Sequence, residues 1–183
     1  IGTLAKQAEQ HQMKTIISTG DKDMTQLVDD HISLINTMTN TTLDASGVKE
    51  KFGVWPNQII DYLTLVGDTS DNIPGVPKVG PKTAAKWLNE FQSLDNILEN
   101  AETISGKIGE NLRNTQDQLP LSKQLATIQC ELKLDVNVPD LKQQSPDQEK
   151  LQQYFKTLGF KRWLNENNTD KPIPTQNTYQ LIT

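Results

Sequence analysis

The chain has 183 residues, with 18 Lys and Arg against 23 Asp and Glu and a formal net charge of −5. That length holds one large domain or two small ones, and the acidic balance counts against a uniformly basic nucleic-acid binder. A single cysteine, Cys130, excludes a disulfide framework and a thiolate zinc site, and no run approaches the roughly 18 apolar residues of a membrane span.

Residues 1–12 read as a helix with Ile1, Leu4, Ala5 and Ala8 on one face. Lys14 to Thr19 is short and β-branched, the pattern of a buried strand, and Gly20 ends it. Asp21-Lys-Asp23 follows, then one or two helical turns over Met24 to Val28 and a second strand over Ile32 to Asn36. Helix, strand, helix, strand is part of a parallel α/β sheet. From Asp44 the chain turns helical. Asp44 can cap a helix over Ala45 to Phe52 that stops at Gly53. Pro56 suits the first turn of a helix over Asn57 to Val66, with Ile59, Ile60, Leu63 and Val66 as its apolar face and Gly67 as its stop. The next helix opens at Pro81. Its Ala84, Trp87, Leu88 and Phe91 recur at i, i+3, i+4, i+7, facing a core.

Ser93 caps a short helix through Leu98, and Ser105-Gly-Lys-Ile-Gly109 opens another that carries Leu112 and Arg113. Leu119 to Ile128 reads as helix and Gln129 to Val136 as extended chain. Asp147 to Leu158 is a helix with apolar Leu151, Tyr154, Phe155 and Leu158, stopped by Gly159. Asn165 to Asn177 is Asn-rich and carries two Pro, the mark of a linker. Tyr179 to Thr183 resembles the start of another strand. The pattern is mixed α/β and mostly helical. It divides into a partial α/β sheet layer (1–43), a helical subdomain (44–164), and a linker leading to a further domain (165–183). No signal peptide opens the sequence, and a cytoplasmic location is expected.

Charge is segregated along this pattern. Between Asp61 and Asp71 there are three Asp and no base, whereas Ile73 to Phe91 holds three Lys and one Glu. Asp21 and Asp23 follow a strand as alternate residues, which point the same way. Asp68 and Asp71 are three apart, one turn if the chain winds there. Carboxylates suit a hard cation such as Mg²⁺ or Mn²⁺, and two pairs at the ends of neighbouring elements suit phosphodiester hydrolysis assisted by two ions. Each pair alone is equally turn and cap chemistry; both pairs beside a phosphate motif favour a metal, with all four Asp as catalytic ligands. Ile73-Pro-Gly-Val-Pro-Lys-Val-Gly80 before a Pro-initiated helix is a helix-hairpin-helix signal. Gly75 and Gly80 let backbone approach a phosphate closely, the amides near Gly80 to Lys82 point out of the helix start, Lys78, Lys82 and Lys86 add charge, and Val79 and Thr83 complete the candidate DNA-binding set. Such contacts read the duplex backbone and not the bases. Ser105 to Gly109 resembles a weaker second copy, with Lys107 and Arg113 as its bases. Trp55, Trp87 and Trp163 read as core or cap-packing residues, and His11 and His31 have no partner at ligand spacing.

Ser18-Thr-Gly-Asp-Lys-Asp23, Leu34-Ile-Asn-Thr-Met38, Gly67-Asp-Thr-Ser-Asp-Asn-Ile-Pro-Gly75 and Leu125-Ala-Thr-Ile128 resemble the 5′ nuclease domain of bacterial DNA polymerase I, of the flap-endonuclease family. The resemblance covers roughly residues 1–164 and implies a PIN-like sheet layer followed by a SAM-like helix–three-turn–helix subdomain. It implies metal-dependent removal of 5′ flaps and RNA primers in replication and repair. Asp21, Asp23, Asp68 and Asp71 become metal ligands, and Ile73 to Phe91 becomes the grip on duplex DNA. In some members carbonyls of that hairpin also hold a monovalent cation such as K⁺. Polymerase domains are expected downstream. The family's remaining acidic ligands and its basic arch lie upstream of the motifs present, so weak or absent catalysis by this stretch alone is expected. Self-association through an exposed sheet edge is expected too. The alternative is a non-catalytic helix-hairpin-helix DNA-binding module, which has no use for the four Asp.

Overall fold

The computed structural model describes residues 1–167. The expected linker from Asn165 therefore lies outside the described residues except for its first three positions, and the strand at Tyr179 lies outside them altogether. Two compact units are present, Ile1–Asp140 and Leu141–Thr183. The sequence division at residue 43 falls inside the first unit, whose core cluster runs from Ala5 to Ala126.

The first unit opens with helix α1 (Gly2–Gln10) and a sheet in the order β1 (Thr15–Ser18), β2 (Ile32–Asn36), β3 (Thr41–Leu43). β1 and β2 are parallel, with Thr15 opposite Ile32 and Ser18 opposite Ile35. β2 and β3 are antiparallel, Leu34 opposite Leu43. The sheet is therefore mixed. The sequence reading missed β3 because Thr41–Leu43 is too short to show an alternation; Asn36 and the left-handed Asn40 turn the chain into it. β1 is not the buried strand its β-branched run predicts. Ile17 is buried but Ile16 is 69% exposed, since β1 is the sheet's edge among the described residues. α1 differs similarly. It buries Gly2, Thr3, Ala5 and Ala8, leaving Ile1 exposed and Leu4 half-buried.

The helical part follows its caps closely. In α2 (Ala45–Phe52) the Asp44 carboxylate accepts from Gly47 N at 2.8 Å, and Gly53 ends the helix at φ 74°. Pro56 opens a 3₁₀ turn (Pro56–Gln58) that leads into α3 (Ile59–Val66). α3 is not amphipathic. Asp61 to Leu65 are all buried, because α4 (Pro81–Phe91), α7 (Leu119–Ala126) and the 3₁₀ turn Lys22–Leu27 surround it. α4 buries Ala84, Trp87 and Leu88. α5 (Leu94–Glu99) is capped by Ser93, and α6 (Gly106–Thr115) precedes α7. Gln129 to Val136, expected to be extended, forms no strand among the described residues and bends at Asp135. The second unit holds α8 (Gln148–Thr157), capped by Asp147, and α9 (Lys161–Asn167). The predicted apolar face of α8 buries none of its residues. Instead Phe155 meets Phe160 and Trp163 at centroid distances of 6.2 and 5.2 Å.

Candidate metal centre and phosphate grip

The two stretches richest in Asp meet in space. Asp21 caps the 3₁₀ turn after β1, accepting from Asp23 N at 3.0 Å, and so turns Asp23 inward. Across from it, α3 ends at Gly67 (φ 75°) and the chain folds into a small loop closed by the pair Asp68–Ile73, which exchange backbone bonds of 2.8 Å each way. Ligand oxygens of Asp23, Asp68 and Asp71 all lie within 4.8 Å of one another. Asp21 stands outside this group; its Oδ1 accepts the Asp23 amide at the cap. Three of the four predicted ligands thus converge, and the fourth positions the turn that brings one of them in.

The donors fit a hard divalent cation. They are all carboxylate oxygens, and Asp23 Oδ1 is buried with no hydrogen-bond partner, a costly state that a cation would relieve. Burial, followed by the charge of Asp21, pushes the Asp23 carboxyl above its ordinary range. Asp68 is held far below that range by the Lys22 ammonium and by Ser70. Lys22 Nζ sits 2.8 Å from Asp68 Oδ2, and Ser70 donates its N–H and its hydroxyl to Asp68 Oδ1. Neither Lys22 nor Ser70 was singled out from the sequence. The signal was the lysine lodged between the two aspartates of Asp-Lys-Asp.

A second group of donors contradicts the sequence reading of His31. The fold brings His31 within 4.8 Å of Glu9 and Asp29. Lys6 spans both carboxylates, at 2.8 and 2.7 Å, and Asp29 Oδ1 takes the amides of His31 and Ile32. These oxygens are already satisfied.

The hairpin between α3 and α4 is pinned by its own protein. Val76 N donates to Leu65 O (2.8 Å), Ser122 Oγ to Pro74 O (2.8 Å) and Asn111 Nδ2 to Pro77 O (2.6 Å). Gly75 is explained inside the fold: a Cβ there would lie 2.4 Å from Gly67 N and from Val66 C. It allows the loop to close on α3; it does not itself make room for a phosphate. Within the Ile73–Gly80 stretch the left-handed residue is Lys78 (φ 67°), not a glycine. Gly80 does face open space, with nothing within 4 Å of a Cβ, and α4 has no side-chain cap. Within its first turn Pro81 has no N–H and Thr83 N donates to Gly80 O at 3.0 Å, which leaves the Lys82 amide available to an anion. Lys78, Lys82 and Lys86 are exposed and make no ion pair among the described residues, Thr83 is half-buried, and Val79 is buried as a core residue.

The second copy differs. Lys107 pairs with Glu110 at 2.8 Å. Arg113 donates to the carbonyls of Ala101 (2.6 Å) and Ile104 (3.3 Å), fastening the loop before α6. Arg113 is thus a structural residue.

Known proteins resemble this chain in sequence and in fold. Residues 1–53 match the family described as 5′-3′ exonuclease, N-terminal resolvase-like domain, and residues 54–149 match 5′-3′ exonuclease, C-terminal SAM fold. The chain is 47% identical over 178 residues to DNA polymerase I of Pseudomonas aeruginosa, covering 91% of this chain and 19% of that protein. It is 37% identical over 148 residues to a 5′-3′ exonuclease of Buchnera aphidicola, 77% of this chain and 52% of that one. It thus spans about a fifth of the polymerases it matches. Among solved structures, T5 5′-exonuclease with bound zinc shares the fold at a TM-score of 0.62 and 23% identity, over 67% of this chain and 46% of that chain. The catalytic core of Rad2 in complex with DNA gives 0.54 and 20%, over 82% of this chain and 55% of that chain.

Proposed function

The chain belongs to the 5′-3′ exonuclease family, and from that premise we propose that it supplies metal ligands and the duplex grip of a 5′ nuclease domain acting on 5′ flaps and RNA primers, within a longer DNA polymerase I. One observation carries the reading. Three carboxylates, one with a buried oxygen lacking a partner among the described residues, converge at the root of a hairpin whose far end presents a helix start without a side-chain cap and three lysines that make no ion pair among the described residues.

Asp23, Asp68 and Asp71 would hold the divalent ion, Mg²⁺ or Mn²⁺, which when bound lowers the pKa of a water nucleophile and stabilises the leaving oxygen. The protein's own work is positional. Asp21 fixes Asp23 through the cap, and Ser70 fixes Asp68. The start of α4 takes a backbone phosphate on the Lys82 amide, and the Lys82 and Lys86 ammonium groups neutralise neighbouring charge on the same strand. None of these groups can tell one base from another, so binding is independent of sequence. The Asp68–Ile73 bridge and the Gly67–Gly75 contact make grip and metal centre a single rigid piece, which sets the distance from the held phosphate to the cut bond.

The test follows binding and cleavage together on an end-labelled 5′-flap duplex with Mg²⁺, comparing the wild type with Asp71→Asn. The expected result is equal binding, with cleavage weak and confined to the wild type. Equal cleavage by both removes the metal role, and loss of binding by the wild type removes the grip. Binding by both with cleavage by neither would mark the chain as the DNA-gripping module alone.

A further inference from the structure

The acidic centre already contains a cation, and it is covalently part of the chain. Asp68 has both oxygens engaged: Oδ1 by Ser70 and Oδ2 by Lys22 Nζ at 2.8 Å. Asp23 Oδ1, in the same cluster, is buried and unpaired. An ion drawn to Asp23 and Asp71 therefore meets an Asp68 whose Oδ2 is held by an ammonium. Metal and ammonium compete for one carboxylate, and like charges a few ångströms apart repel strongly at a partly buried site.

Lys22 also has somewhere to go. Its side chain is 43% exposed, against 8% for Asp68, and it lines an open cavity of about 270 Å³ shared with Asp21, Thr19, Asn36 and Thr41. The 3₁₀ turn holds its backbone through the Asp21 cap, so the ammonium can swing without moving Asp23. A lysine freed at the rim of the carboxylate cluster would stand beside a phosphate brought to that cluster, and a mobile ammonium is suited to a phosphate oxygen.

We infer that Lys22 is the resident counter-ion of the acidic centre: it yields Asp68 to a divalent metal, and the released ammonium becomes a positioning residue for the substrate phosphate. This rests on the metal reading of Asp23, Asp68 and Asp71 and deepens it. It makes phosphate recognition conditional on metal loading, since without metal Lys22 is held by Asp68.

The experiment titrates Mn²⁺ alone into the 183-residue chain, reading free Mn²⁺ by electron paramagnetic resonance, for the wild type, Lys22→Met, Lys22→Arg, Lys51→Met and Asp71→Asn. Removing the competitor should tighten Mn²⁺ binding about tenfold in Lys22→Met, whereas Lys22→Arg stays near the wild type. Lys51, which lines the same cavity but has its ammonium 5.4 Å from the Phe52 ring, should have no effect. Lys22→Gln repeats the test should the Met variant fold poorly. Unchanged or weaker affinity in the neutral variants overturns the inference, as does an equal gain in Lys51→Met, which would reduce the effect to general field. Asp71→Asn separates the two levels. If it leaves Mn²⁺ binding untouched, the metal reading itself fails; if it weakens binding while Lys22→Met does nothing, only the counter-ion fails. Flap-duplex binding in Ca²⁺ gives the second readout: the wild type should show a salt slope steeper by about one than Lys22→Met, and the two should coincide in EDTA.

Discussion

Replacing Asp23 with Asn should stabilise the metal-free protein while weakening its hold on metal. Ligand oxygens of Asp23, Asp68 and Asp71 lie within 4.8 Å of one another. At that separation a pair of like unit charges costs about 0.9 kcal/mol in bulk water and about 3.5 kcal/mol at an effective permittivity of 20. Lys22 offsets Asp68, which leaves Asp71 and Asp21 as the charges Asp23 opposes. Asp23 is only half-buried and water screens these pairs, so the lower figure applies and the net relief is about 1 kcal/mol. A domain of this size converts about 1 kcal/mol into a Tm rise of about 2–4 °C. The Asn side chain keeps the shape and the Asp21 cap, which uses the backbone N–H of residue 23 and not its side chain. The assay is differential scanning calorimetry in EDTA, repeated with excess Mn²⁺. The wild type should gain on adding metal and the variant should not, so the order of the two melting temperatures closes or reverses. A variant that melts at or below the wild-type temperature in EDTA would refute the argument that these carboxylates repel.

Lys82→Ala should weaken duplex binding equally across sequences and shallow its salt dependence by about one unit of slope, measured by fluorescence anisotropy at several salt concentrations. Arg113→Ala should leave that slope unchanged and instead cost about 1–2 kcal/mol in urea unfolding, because two carbonyls of the loop before α6 lose a charged donor. Gly75→Ala places a methyl against the backbone of Val66 and Gly67 and should cost about 2 kcal/mol or more, with loss of Mn²⁺ binding as Asp68 and Asp71 shift with the loop. Asp29 titrates below the ordinary aspartate range: burial opposes this, but Lys6 and the amides of His31 and Ile32 outweigh it. Its contribution is thus complete above the unfolded pKa and lost as pH falls through the lower folded one. Asp29→Asn should therefore reduce stability at neutral pH and flatten the acid limb of stability against pH.

Much of this molecule was legible residue by residue. Asp44 and Ser93 each cap the helix their spacing announces, and Gly53 and Gly67 end theirs in positive φ, because caps and stops are decided within one turn of chain. Trp87 and Leu88 went inward as their periodicity required. The motif around Asp68 and Gly75 was equally local, and so was the family it resembles. What the sequence could not decide depended on neighbours distant along the chain. Whether α3 has one buried face or several depends on three elements closing around it, so its apolar pattern understated its burial. Ile16 reads as core but lies bare, since pairing, not β propensity, decides which strand is an edge. Arg113 looked like a phosphate ligand until the carbonyls of Ala101 and Ile104 claimed it. Most consequential, the sequence supplied four aspartates of equal standing, and only the fold separated them. Three share a site, one holds the turn, and a lysine that spacing alone left unmarked reaches Asp68, because ion pairs form between side chains that tertiary packing brings together.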